Sequence, residues 1–309
     1  MRGEGPNPVR FMRSEWAGLA VPPGGGPDAV RLAGAIAATE PVAPDEVTDI
    51  YVPLCQLLGL LARSAAATAR DAERFTRGRS PSPFLIGVAG GVAVGKSTTA
   101  RIIQRLLARS AEPFAVELLG TDAFLFPNRV LEDRGLSGRK GFPETYDRPA
   151  LLSTLGALRA GDADVDVPVY SHQAYDVLAG VRHVISRPDV VVVEGLNVLQ
   201  VGTADDDVRQ VSDLLDISLY VDAAEADVGR WFTDRLMGLR ATPEAEPGAF
   251  LKWFSSLSDP EAHRVADLAW SEINLVNVRR HVVPTRDRAG IVLFKDGRHR
   301  VSHVEVRGP

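Results

Sequence analysis

The sequence predicts an α/β protein built on a mostly parallel sheet with helices on both faces, and three stretches carry that reading. Phe84-Leu85-Ile86-Gly87-Val88-Ala89 is an apolar run of strand length that enters a glycine-rich loop and then a helical segment, Ser97 to Leu107. Asp189-Val190-Val191-Val192-Val193-Glu194-Gly195 sets four consecutive β-branched residues in one run, which suits a parallel strand covered on both faces. Leu215 to Asp222 reads as a further strand and is followed by helical spacing from Ala223 to about Arg240.

The loop after the first of these strands is Gly90-Gly91-Val92-Ala93-Val94-Gly95-Lys96-Ser97, which fits G-x-x-x-x-G-K-[ST] at every fixed position. Strand, loop and helix follow in the order a P-loop requires. Gly90 and Gly95 let the backbone bend and approach phosphates, and successive N–H groups at a helix N-terminus point at the anion. Lys96 supplies a mobile charge for the β- and γ-phosphates, and the Ser97 hydroxyl meets a magnesium ion bridging them. The fold expected is therefore of the P-loop NTPase type, with a helical lid and an N-terminal helical segment.

Taken in order, residues 1–30 are rich in Gly and Pro and read as an N-terminal arm. Residues 31–309 read as a single domain: a helical cover over 31–80, a nucleotide-binding core over 83–222, a lid and acceptor-site region over 223–285 and a closing hairpin over 290–307. In the core, Phe114 to Leu119 is the second strand and ends at Gly120-Thr121-Asp122-Ala123-Phe124. Ligands bind at the C-terminal edge of such sheets, so Asp122 either takes a proton from an attacking hydroxyl, binds magnesium through water, or merely caps a turn. Residues 134–147 form a polar loop in which Arg139 and Lys140 either touch phosphate or are solvated. Tyr170-Ser171-His172 is a ligand contact or a surface turn. Glu194, at the end of its strand, stands where a Walker-B acid holds magnesium. Arg230, Arg235 and Arg240 do not all share one helix face, and at least one is expected to point at the site.

Composition bounds the function. With 309 residues, 45% hydrophobic and 24% charged, the chain has the makings of an ordinary globular core. Its net charge of -5 gives no reason to expect nucleic acid or an anionic membrane as partner. Cys55 is the only cysteine, which excludes an internal disulfide and fits a reducing cytoplasm. No signal core follows Met1, and no apolar run of roughly 18 residues is expected to span a membrane. The six histidines lack zinc-ligand spacing. A GTPase would read guanine with Asn-Lys-x-Asp, which is absent, whereas a small-molecule kinase needs a nucleotide site, a base and a lid, all of which the segments above supply. A non-catalytic nucleotide sensor is the other class this motif serves.

Beyond the P-loop, five segments together resemble the bacterial type I pantothenate kinases, related to uridine kinase and phosphoribulokinase. They are Gly91 to Arg101, which includes Thr98; Thr121-Asp122-Ala123-Phe124-Leu125; Lys140 to Asp147; Pro168 to His172; and Glu194 to Gln200. The resemblance runs from about Phe11 to Val306. It implies ATP-dependent phosphorylation of pantothenate to 4'-phosphopantothenate, the first step towards coenzyme A, with Mg2+ as cofactor. It further implies Asp122 as base, Lys96 and Arg235 on the transferring phosphoryl group, and Ser97 with Glu194 on the metal. Tyr170 and Asn274 match positions that hold pantothenate; Lys96, Arg101 and His172 match positions that grip coenzyme A, a feedback inhibitor competing with ATP. A homodimer is implied as well.

The chain departs from that pattern in its lid. Where the family has Trp-Tyr-x-x-Arg-Phe, it has Trp231-Phe232-Thr233-Asp234-Arg235-Leu236, and Leu239 and Leu251 replace rings lining the pocket. Phe232 lacks a hydroxyl that would bond pantothenate, a loss of roughly 0.5–1.5 kcal/mol, or about tenfold at most in binding. Weaker coenzyme A feedback is expected. The alternative substrates are another small alcohol: a pantothenate analogue, a nucleoside or a sugar.

Overall fold

The computed structural model describes residues 7–22, 26–75, 82–200, 209–241 and 249–307. Residues 1–6 and 23–25 of the expected arm and residues 242–248 of the expected lid region lie outside the described residues.

The chain opens with β1 (Val9–Met12) and α1 (Arg13–Ala17), then α2 (Gly26–Ala37). A short α3 (Pro44–Glu46) passes through a π-helical turn, Val47–Tyr51, into the long α4 (Val52–Ala72). The core follows with β2 (Phe84–Gly90), α5 (Lys96–Leu107), β3 (Val116–Gly120), α6 (Asn128–Asp133) and α7 (Arg148–Ala160). An antiparallel ribbon of β4 (Asp164–Ser171) and β5 (Asp176–Ser186) precedes β6 (Val190–Glu194) and β7 (Ile217–Ala223). The region expected to form the lid holds α8 (Glu225–Ala241), α9 (Ala249–Ser256) and α10 (Asp259–Leu268). It then runs through a π segment (Ala269–Asn274), α11 (Leu275–Asn277) and a second π segment (Val278–Val282), and β8 (Ile291–Lys295) and β9 (Val301–Val306) close the chain.

Seven strands form one sheet in the order β1-β9-β8-β7-β2-β6-β3. Those from β8 to β3 are parallel, and β9 and β1 are added antiparallel at one side. Period-two alternation divides the core between the two faces. Ile86, Val88, Val190 and Val192 pack with α4 and α5 residues such as Leu54, Leu58, Ile102 and Ile103. Leu85, Ala89, Val191 and Val193 pack with Leu151, Leu155 and Leu158 of α7. Burial on both faces is what the unbroken valine run of β6 demands.

Residues 9–17 of the expected arm are a strand and a helix. Val9–Met12 pairs with β9, and Trp16 is 2% exposed, its indole N–H donating to the Ile50 carbonyl at 3.0 Å. The Pro44–Phe75 segment is long and apolar enough to cross a bilayer by length and composition, yet half of its most apolar stretch is buried, and Ile50, Leu54 and Leu58 belong to the core. The β4–β5 ribbon was not foreseen; the sequence marked only Tyr170-Ser171-His172, where β4 ends.

Candidate active site

The C-terminal ends of β2, β3 and β6 meet at one edge of the sheet, and the candidate residues sit there because those strands end side by side. At Gly90, with φ +143°, a Cβ would lie 2.5 Å from the Val221 carbonyl oxygen, so the loop leaves β2 in a conformation only glycine takes without strain. Gly195, just past β6, lets Thr121 close in, since a Cβ there would lie 1.8 Å from Thr121 Oγ1. That approach brings Glu194 and the neighbouring Asp122 to the same edge.

Lys96 and Ser97 open α5. Lys96 Nζ donates to the Gly91 carbonyl at 2.7 Å, folding the side chain back over the loop where phosphates would lie. Ser97 Oγ donates to Glu194 Oε1 at 3.0 Å. Burial pushes the Lys96 ammonium below its ordinary pKa, opposed by the carboxylates of Glu194 and Asp122, while Arg235 pushes the same way as burial. The Glu194 carboxyl is pushed up by burial and pulled back by Lys96. These couplings put Lys96, Glu194, Asp122 and Arg235 in a single electrostatic cluster.

Asp122 follows β3 in a single turn, Thr121–Phe124, and its Oδ1 accepts from the Tyr146 hydroxyl at 3.3 Å. Burial first, then the Asp122 charge, holds the Tyr146 phenol protonated, so it acts as a donor to that carboxylate. Tyr170 lies edge-on to His172 with ring centroids 5.2 Å apart. Burial pushes the His172 imidazole down, Asp122 pulls it up, and Arg235 and Arg101 push it down. The Arg101 guanidinium is gripped by Glu40, with Nε 2.9 Å from both carboxylate oxygens.

Of the expected residues, Lys96, Ser97, Asp122, Arg101, His172, Glu194 and Arg235 are linked by hydrogen bonds or by mutual electrostatic influence. Tyr170 joins them through the charges of Asp122 and Arg235, although burial is the main cause of its raised pKa. Phe232 lies against Trp270 with centroids 5.8 Å apart, and the Asn274 amide donates to the Ala269 carbonyl at 2.8 Å, so both are engaged with the lid's own helices. Of the three lid arginines, Arg230 bonds Gly297 and Arg240 pairs with Asp259, which leaves exposed Arg235 as the one facing the cluster electrostatically. Sequence reasoning gave no role to Tyr146 or Tyr175. Lys140 sits over the rings of Tyr170 and Tyr175, donates to Asn128 Oδ1 at 2.7 Å and bonds the Tyr175 carbonyl.

Among the described residues no group of three or more His, Cys, Asp or Glu could hold a metal alone. Ser97 Oγ with Glu194 fits magnesium all the same, because that ion takes one or two protein oxygens and fills its octahedron with water and substrate phosphates.

The chain matches the model of the Phosphoribulokinase / Uridine kinase family over residues 85–230. It is 47% identical over 272 residues to a protein of Parvibaculum lavamentivorans named pantothenate kinase, covering 87% of this chain and 83% of that one. It is 42% identical to a pantothenate kinase of Halalkalibacterium halodurans, covering 96% and 94%. Among solved structures it is similar to a putative fructose transport system kinase from Silicibacter sp. TM1040, at 23% identity and a TM-score of 0.52 over 74% of this chain and 94% of that one. The last likeness concerns the fold alone.

Proposed function

The chain belongs to the pantothenate kinase family, and from that premise we propose how its residues divide the work. The reaction is ATP-dependent phosphorylation of pantothenate to 4'-phosphopantothenate, on the route to coenzyme A. Asp122 accepts the proton of the pantothenate primary hydroxyl as its oxygen bonds to the γ-phosphorus; the bond from that phosphorus to the bridging oxygen breaks, and ADP leaves. Tyr146 holds Asp122 in place through its 3.3 Å hydrogen bond. Lys96, and Arg235 from the lid, neutralise charge on the transferring group. A magnesium ion held by Ser97 and Glu194 would screen the β- and γ-phosphates. The backbone of Gly90 to Thr98 cradles those phosphates. Tyr170, Phe232 and Asn274 line the acceptor side, with Lys140 as the cation suited to the pantothenate carboxylate.

The observation that carries this reading is the convergence of Asp122, Lys96 and Glu194 in one electrostatic cluster beside the 3.0 Å Ser97–Glu194 bond. Asp122→Asn is expected to lower kcat by about 10²- to 10⁴-fold while leaving ATP affinity nearly unchanged. A variant with near-normal kcat would refute the base.

Coenzyme A is proposed as an inhibitor that meets Lys96, Arg101 and His172, with feedback weakened by Leu239 and Leu251. A homodimer is proposed in a reducing cytoplasm; Leu60 on α4, 59% exposed, and Phe75 just past it, 74% exposed, supply apolar surface for it. Residues 31–309 are read as one kinase domain whose lid region spans 223–285.

A further inference from the structure

The loop that carries Lys140 is pinned from a part of the chain far from it in sequence. Asn277 of α11 is 4% exposed, and its Nδ2 donates to the Gly141 carbonyl at 2.8 Å, from 136 positions away. A carbonyl only accepts, so the amide turns its nitrogen to the loop. The Asn277 Oδ1 finds no partner among the described residues, which leaves the amide oriented by that one bond. The approach is close: Gly141 has φ +96°, and a Cβ built there would lie 3.6 Å from Leu196 and 3.9 Å from Asn277 Nδ2. Four residues past Asn277, His281 lies edge-on to the buried Phe142 ring with centroids 5.9 Å apart. Two side chains of one helical stretch therefore meet the two residues that follow Lys140.

The loop's own bonds at this point are internal. The Gly141 N–H donates to Thr145 Oγ1 at 3.1 Å, and that hydroxyl donates to the Phe142 carbonyl at 2.7 Å. They shape the turn, whereas the Asn277 bond fixes the turn against another element. Lys140 leaves the backbone immediately before it. An ammonium has three donors, and Asn128 Oδ1 and the Tyr175 carbonyl take two of them. The third serves an anionic group of the acceptor. The groups facing that ammonium are the carboxylates of Asp176 and Asp122 and the rings of Tyr170 and Tyr175.

We propose that Asn277 is a specificity-determining positioning residue, whose bond to Gly141 holds Lys140 over Tyr170 and Tyr175 and so fixes where the carboxylate of the acceptor is met. It acts through Lys140 and touches no substrate. Asn274, three positions earlier, stands on the acceptor side, so one stretch of backbone carries one acceptor contact and places another. The proposal rests on the reading of Lys140 as the cation for that carboxylate.

The test is a double-mutant cycle on the full chain, with kcat, ATP affinity and the KM for pantothenate measured from about pH 7 to about pH 9. Asn277→Leu fills the space without a donor, and Asn277→Ala removes the amide outright; each is made alone and together with Lys140→Met. Either Asn277 variant is expected to raise the KM for pantothenate about five- to tenfold, with kcat and the Kd for ATP within about twofold of wild type. Added to Lys140→Met, it is expected to change that KM less than about twofold, because the group it places is already gone. Burial lowers the Lys140 pKa to about 8, and an ammonium released to solvent returns towards its ordinary value, so the rise of KM with pH flattens in the Asn277 variants. Additive effects of the two substitutions, a wild-type KM in Asn277→Leu, or a wild-type pH profile in it would overturn the part given to Asn277 and leave that of Lys140 standing. Loss of cooperative unfolding in both Asn277 variants would assign the bond to the fold and overturn it as well. A wild-type KM in Lys140→Met would instead contradict the reading of Lys140, and the proposal with it.

Discussion

The Lys140 ammonium lies 4.1 Å from the centroid of the Tyr175 ring and 5.3 Å from that of Tyr170. Burial pushes its pKa down to about 8, opposed by the charges of Asp176 and Asp122. A lysine so lowered carries its charge below that pH and loses it above, so attraction for a carboxylate weakens as pH rises through about 8. The KM for pantothenate is therefore expected to climb several-fold between about pH 7 and about pH 9 in wild type, and to stay nearly level in Lys140→Met. Identical pH dependence in the two would remove Lys140 from the acceptor side. Sequence left Lys140 open between phosphate contact and solvated charge, because its partners Asn128 and Tyr175 are set by the meeting of a loop with the β4–β5 ribbon. Lys96 and Ser97 were legible for the opposite reason: their geometry is fixed within eight consecutive residues by the loop itself. Tyr146 escaped notice because nothing local ties residue 146 to Asp122, and the isolated bridge between Leu125 and Tyr146 brings them together.

At the scale of elements, β2, β6 and β7 were readable from apolar runs, since a strand buried on both faces has few alternatives in composition. β1 was not. Its four residues are exposed or half-exposed, and its partner β9 lies at the other end of the chain, so neither periodicity nor hydropathy marks it. Trp16, just behind it, carries the energetic weight: its ring is buried and its N–H is satisfied by Ile50. Trp16→Ala is expected to cost about 3–5 kcal/mol in denaturant unfolding, through lost burial and an unfilled space. A cost below about 1 kcal/mol would mean that the N-terminal strand and helix add little to the fold. The π segments flanking α11 were also beyond sequence reach, because the helical spacing of residues 268–277 reads the same whether a turn closes after four residues or five.

For the whole molecule, the parallel core brings loops from β2, β3 and β6 to one edge, the lid helices α8 to α10 lie next to it in the chain, and the closing hairpin reaches back to the P-loop. On the proposed reading, nucleotide chemistry belongs to the core, and the choice of acceptor belongs to the ribbon, the 134–147 loop and the 223–285 region. The motifs carried the reaction class and, through the resemblance, Tyr170 and Asn274 as acceptor-side residues, whereas the Tyr146–Asp122 bond and the partners of Lys140 became visible only in the fold. The most direct test of the account is ATP consumption by the purified protein with magnesium, in the presence and absence of pantothenate, with the product identified by mass. The account predicts turnover that depends on pantothenate and yields a singly phosphorylated pantothenate together with ADP. ATP binding without pantothenate-dependent turnover would contradict it.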